Sequence, residues 1–110
     1  MIQIRVRNQN DKTEMVIQGH AGYHPGNDIV CAAVSALVNT LAQRVLQDFE
    51  AGKIESKFIK LKSGDSRVAY IGRDPILHQI TATILDGLKG IENSYPQHLK
   101  IFISSEKAGH

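Results

Sequence analysis

The sequence predicts an α+β fold: a single mixed sheet of about five strands, ordered β-β-α-β-β-α-β along the chain, with two helices packed on one face. Three observations predict it. Short segments in which apolar and polar residues alternate stand near both ends and in the middle, with the period of half-buried strands. Two longer segments carry apolar residues at helical spacing. Each of these has one apolar stripe only, so each is expected to cover the sheet from a single side. Strand order does not follow from these patterns.

In chain order, Ile2, Ile4 and Val6 alternate with Gln3, Arg5 and Arg7. Asn8 to Lys12 is a polar turn, and Thr13 to Gly19 reads as the returning strand. A helix is expected from Ile29 to about Glu50, its stripe formed by Val30, Val34, Leu37, Leu41 and Val45 and its end marked by Gly52. Lys57 to Lys62 and Arg67 to Gly72 form a hairpin around Ser63-Gly64-Asp65-Ser66. Asp74-Pro75 supplies a cap and a first-turn proline for a second helix. Its expected stripe is Ile76, Ile80, Ile84, Leu88 and Ile91, and Tyr95-Pro96 breaks it. Leu99, Ile101 and Ile103 alternate in a last strand.

With 110 residues, the chain is expected to fold as one domain, 1–110. A net charge of +2, with no long basic run, does not point to direct nucleic-acid binding. The longest uninterrupted apolar stretch is far short of a membrane span, and MIQIRV lacks the layout of a signal peptide. A single cysteine excludes an internal disulfide and a multi-cysteine metal site, and fits a reducing, cytoplasmic setting. No metal and no cofactor is expected.

The connection from Gly19 to Asp28 departs from this ordinary pattern. Strand-to-helix loops usually run about two to six residues. This one is longer and contains three glycines, Pro25 and two histidines, His20 and His24. Long loops of that kind commonly carry function. Asn27 or Asp28 suits the N-cap of the long helix. With Asp28 as cap, Cys31 falls in the first turn, where free N–H groups and the helix dipole stabilise a thiolate. The same N–H groups suit an oxyanion. At helical spacing, Cys31 stands at the edge of the apolar stripe, where it can line a cleft. His20, just after the second strand, is the natural proton acceptor. Each residue has a plainer reading. A lone cysteine beside an apolar stripe is usually a small core residue, and His20 can be an ordinary strand-end side chain. Asp28 can be a cap only, and its charge opposes a neighbouring thiolate. His24 is a surface residue or a rival base, His78 a solvated or partly packed helical residue, and Ser35 a packing residue.

Gly19-His20-Ala21, followed by Gly26-Asn27-Asp28-Ile29-Val30-Cys31-Ala32-Ala33-Val34-Ser35, resembles the signature of the ribosomal-processing cysteine protease family, often called Prp. The resemblance extends over essentially the whole chain. It implies an endopeptidase that removes the N-terminal extension of a bacterial large-subunit ribosomal protein, cutting after a hydrophobic, aromatic-containing segment. It implies Cys31 as nucleophile, His20 as base, and Asp28 in a supporting or helix-capping place. It further implies a glycine-rich loop over the substrate, here with Gly22, Tyr23, His24 and Gly26, and a homodimer. The expected partner is the extended ribosomal protein, with no membrane. The alternatives are a non-catalytic, ribosome-associated module binding protein or RNA through the open sheet face, and a thiol redox sensor, for which the chain has no resolving cysteine.

Overall fold

The computed structural model describes residues 1–106; the last four residues of the expected 1–110 domain lie outside the described residues. The elements are β1 (Ile2–Gln9), β2 (Lys12–Gln18), α1 (Ile29–Glu50), β3 (Ser56–Lys60), β4 (Asp65–Ile71), α2 (Pro75–Ser94) and β5 (Leu99–Glu106). The expected order is observed, with strand boundaries shifted by up to three residues. The strands form one sheet in the order β3-β4-β2-β1-β5. β5 runs parallel to β1, with Ile4 opposite Ile101, and the remaining pairings are antiparallel, so the sheet is mixed.

Alternation sorts the strands into two faces. Ile2, Ile4 and Val6 from β1, Met15 and Ile17 from β2, and Val68 and Tyr70 from β4 point to one side. There they meet Val30, Val34, Val38, Leu41 and Val45 of α1, and Leu77, Ile84 and Leu88 of α2. Burial of these side chains drives the assembly, at about 25 cal/mol per Å2 of apolar surface. By length and composition alone α1 is apolar enough to cross a membrane, but its buried row is spent on the sheet. The stripe of α2 departs from expectation at its start. Leu77, Thr81, Ile84 and Leu88 are buried, whereas Ile76 is 66% exposed. Ile80 and Ile91 still pack against the core, so within the expected stripe only Ile76 faces away, and Leu77 and Thr81 take its place. Thr81 can face the core because its hydroxyl bonds the Leu77 carbonyl and the Tyr70 hydroxyl.

Two contacts tie distant segments together behind the β2–α1 loop. Gly19 N–H donates to the Gly64 carbonyl at 3.0 Å, and Ile2 N–H to the His98 carbonyl at 2.9 Å. Gly19 has φ +93°, and a Cβ there would stand 2.5 Å from the Met1 carbonyl oxygen. Both the conformation and the space require glycine.

Candidate active site

β2 ends at Gln18 and α1 begins at Ile29, so ten residues bridge them over one end of the sheet. The chain leaves β2 through Gly19 and presents His20 beneath the β3–β4 turn. The His20 ring lies so close to Gly64 that a Cβ on Gly64 would sit 2.7 Å from Nε2. Cys31 is the third residue of α1 and is half-buried at the edge of its apolar row. The side chains of His20 and Cys31 line one cavity of about 350 Å3, with Ser35, Asn39, Leu61 and Lys62 along its walls. The two sequence-predicted candidates are therefore brought to a common cleft. Asn39 and Leu61 also border an adjoining, mainly apolar hollow of about 260 Å3 reaching Leu46 and Ile59. The trough thus runs from Cys31 along the outer side of α1.

Asp28 caps α1. Its Oδ1 accepts from the N–H groups of Val30 and Cys31, each at 3.0 Å, and its Oδ2 from Tyr23 N–H at 3.0 Å. The Cys31 N–H foremost, helped by those of Tyr23, His24 and Val30, holds the carboxyl below its ordinary value against the opposing effect of desolvation. One side chain thereby starts the helix and fastens the loop before it. This arrangement alters one sequence expectation. The first-turn N–H groups of Val30 and Cys31 are taken by Asp28, and that of Ala32 by the Asp28 carbonyl at 3.0 Å. The donor that faces the sulfur is instead Ala21 N–H, 3.3 Å from Cys31 Sγ.

Ala21 is 2% exposed and is itself held in place. Its carbonyl lies 2.9 Å from His98 Nδ1. A carbonyl oxygen only accepts, so Nδ1 carries the hydrogen in this contact. Tyr23 stands edge-on to Tyr95 and to His98, with ring centroids 5.3 Å apart in both pairs. The loop is therefore seated on the α2–β5 corner at Ala21 and Tyr23. Gly22, between them, and Gly26 adopt positive φ, and Asn27 N–H returns to the His24 carbonyl at 3.3 Å. His24, Pro25 and Gly26 are exposed. His78 lies away from the cavity, near the Tyr70 hydroxyl and the Gly72 carbonyl. Sequence reasoning missed His98, Gly64, Asn39 and Leu61, and read Tyr95 only as a helix breaker. Nothing in sequence spacing joins His98 to Ala21, since tertiary packing alone brings them together.

The profile of the family described as cysteine protease Prp matches residues 1–100. The chain belongs to the cysteine protease Prp family. The described fold agrees with that of a Prp ribosomal processing protease from S. aureus, crystallised with a covalently linked product peptide. The TM-score is 0.77 at 23% identity, over 94% of this chain and 100% of that one. The same S. aureus protease crystallised with a substrate peptide gives a TM-score of 0.64 at 22% identity, over 94% and 100% of the two chains. The SMU.848 protein of Streptococcus mutans gives 0.70 at 23% identity, over 96% of each chain. No curated protein matches. At these identities the structural likeness concerns the Prp fold, and the family assignment rests on the profile.

Proposed function

We propose that this Prp-family chain is a cysteine endopeptidase that removes the N-terminal extension of a bacterial large-subunit ribosomal protein. The observation that carries the reading is the shared cavity of Cys31 and His20, with a backbone N–H aimed at the sulfur. The ribosomal substrate is carried over from the S. aureus relative, which is described as a ribosomal processing protease. In this reading the whole 1–110 span acts as one cytoplasmic protease domain and works as a homodimer without a cofactor.

The steps follow from the residues. His20 takes the Cys31 proton. The thiolate attacks the scissile carbonyl, and the carbonyl π electrons move onto oxygen. Ala21 N–H, already facing Sγ, is the donor available to that oxyanion, because Asp28 occupies the first-turn N–H groups of Val30 and Cys31. Collapse of the intermediate breaks the C–N bond, and His20 returns its proton to the leaving amine. A water activated by His20 then hydrolyses the thioester and restores the thiol. The thiol's hydrogen bond here is to Ala21 rather than His20. Such contacts are often loose before substrate arrives. The substrate would lie along the trough beside α1, whose apolar end at Leu46, Ile59 and Leu61 suits hydrophobic side chains.

The test is incubation of the purified protein with an extended ribosomal protein, followed by mass measurement. Loss of one N-terminal peptide is expected, and an uncut substrate at long incubation and high enzyme concentration would overturn the reading. Labelling of Cys31 by iodoacetamide across a pH series separates a reactive thiol from a buried one.

A further inference from the structure

The sheet has a second face that neither helix covers, and the proposed proteolysis does not use its central residues. Its register is fixed by the strand pairings. Phe102 of β5 lies opposite Arg5 of β1, Arg5 opposite Val16 of β2, Val16 opposite Arg67 of β4, and Arg67 opposite Lys60 of β3. Flanking rows add Lys100, Arg7, Lys12 and Phe58 on the same side. Among the described side chains of this face, six are basic (Arg5, Arg7, Lys12, Lys60, Arg67 and Lys100). Two are acidic, Glu14 and Asp65. The positive surplus exceeds the +2 of the entire chain, so the remaining surface is more negative. The whole-chain value conceals this segregation.

The face also carries flat surfaces. Phe58 and Phe102 are 49% and 45% exposed. The guanidinium of Arg67 lies 5.0 Å from the Phe58 ring centroid and that of Arg5 lies 5.1 Å from the Phe102 centroid. Glu14 pairs with Arg67 and, at 3.9 Å, with Arg7. That leaves Arg5, Lys12 and Lys100 without a carboxylate partner among the described ion pairs. A trough of about 420 Å3 runs between Arg7, Lys12, Phe58 and Arg67. Exposed aromatic rings, guanidinium planes and a basic groove on an open sheet are the combination that holds a single-stranded nucleic acid. Bases stack on the planes and phosphates meet the cations.

We propose that this face binds single-stranded RNA. The choice of RNA over DNA rests on the ribosomal substrate proposed above. The binding surface itself rests only on the face. A second copy of the chain fits less well, because a twofold axis would set two positive faces against each other.

The experiment uses full-length Cys31→Ala protein and a fluorescently labelled oligouridine of about 12 nucleotides, read by anisotropy. Binding is expected to weaken steeply between about 50 and 200 mM salt, as counterion release requires, with a log–log slope no steeper than about −4 for six cations. Phe102→Ala and Phe58→Ala should each weaken binding by about five- to a hundredfold, the scale of one stacked base. Arg5→Gln, which removes no packed ring, should weaken binding and flatten the salt slope by about 0.7. Peptide cleavage by the same substitutions in the Cys31-containing protein should be unchanged, since neither Phe102 nor Arg5 lines the Cys31 cavity. Absent binding at low salt, or equal binding by all three variants, would overturn the proposal while leaving the protease reading intact. Oligothymidine binding as tight as oligouridine would overturn the assignment to RNA. Loss of dimerisation in Arg5→Gln, with RNA affinity unchanged, would assign the face to a second copy instead.

Discussion

The backbone N–H of Ala21 points at the sulfur of Cys31 from 3.3 Å, although the two stand ten positions apart in sequence. Ala21 in turn is anchored through its carbonyl to His98 Nδ1 at 2.9 Å. The residue beside the candidate nucleophile is thus positioned by a side chain from the far end of the chain.

Removing that anchor should affect turnover more than substrate binding. We expect His98→Ala to lower kcat by about tenfold with a smaller change in KM, less than the 100-fold or more that follows loss of an oxyanion donor itself. His98→Asn, whose amide N–H can take the place of Nδ1–H, should recover most of the rate. Equal losses in both variants, or a change in KM alone, would count against the positioning role.

Cys31→Ala should abolish cleavage and leave the fold in place. The thiol is half-buried, so its exchange for a methyl group should cost only about 1 kcal/mol. Residual turnover in the purified variant would exclude Cys31 as nucleophile, and global unfolding would favour the reading of a core cysteine.

Gly64→Ala tests where His20 works. The backbone at Gly64 has φ +75°, and a Cβ there would meet the His20 ring at 2.7 Å. The left-handed conformation alone costs about 1 kcal/mol for a non-glycine residue. The displaced ring should lower kcat/KM by about 10- to 100-fold, the scale of an ångström-sized misplacement. Unaltered kinetics in a folded variant would show that His20 acts from another position.

Asp28 links pH to the helix start. Its carboxyl titrates below the ordinary value of 3.8, chiefly through the Cys31 N–H. A depressed folded value means that ionised Asp28 stabilises the folded state. That contribution is complete above the ordinary value and fades as pH falls through the lowered one. Asp28→Asn should therefore lower the melting temperature at neutral pH and lose the difference from the parent protein in strong acid. A gap that persists unchanged at low pH would show that charge is not the cause.

The loop should respond to substrate in two parts. Ala21 and Tyr23 are held by Cys31, His98 and Tyr95, whereas 24–27 are exposed and contain Gly26, a positive-φ glycine. Hydrogen exchange on the Cys31→Ala protein with an uncut peptide should slow at 24–27 and change little at 21–23. A uniform slowing over the whole segment would argue for a single lid instead.

Much of this architecture can be read directly from residue spacing. Period-two runs place the strands, Asp28 and Asp74 mark both helix starts, and the position of Cys31 three residues past its cap follows from the capping pattern. What could not be read depends on contacts between distant segments. The place of Thr81 in the buried row of α2 turned on the pairing of its hydroxyl with Tyr70. Occupation of the first-turn N–H groups by Asp28 depended on which rotamer the cap adopts, and this moved the available donor to Ala21. His98 and Gly64 entered the site through strand order, to which local periodicity is blind. The basic face was hidden for a similar reason, because composition averages over surfaces that the sheet separates.

The parallel pairing of β5 with β1 has a consequence for synthesis. His98, which holds Ala21, immediately precedes β5, and β5 adds to the edge of a sheet whose other four strands precede it in sequence. A nascent chain emerging N-terminus first therefore exposes Cys31 and His20 long before the support for Ala21 exists. Ala21 and Tyr23, which sit on His98 and Tyr95, thus gain their seat only after the residues that follow α2 have been made.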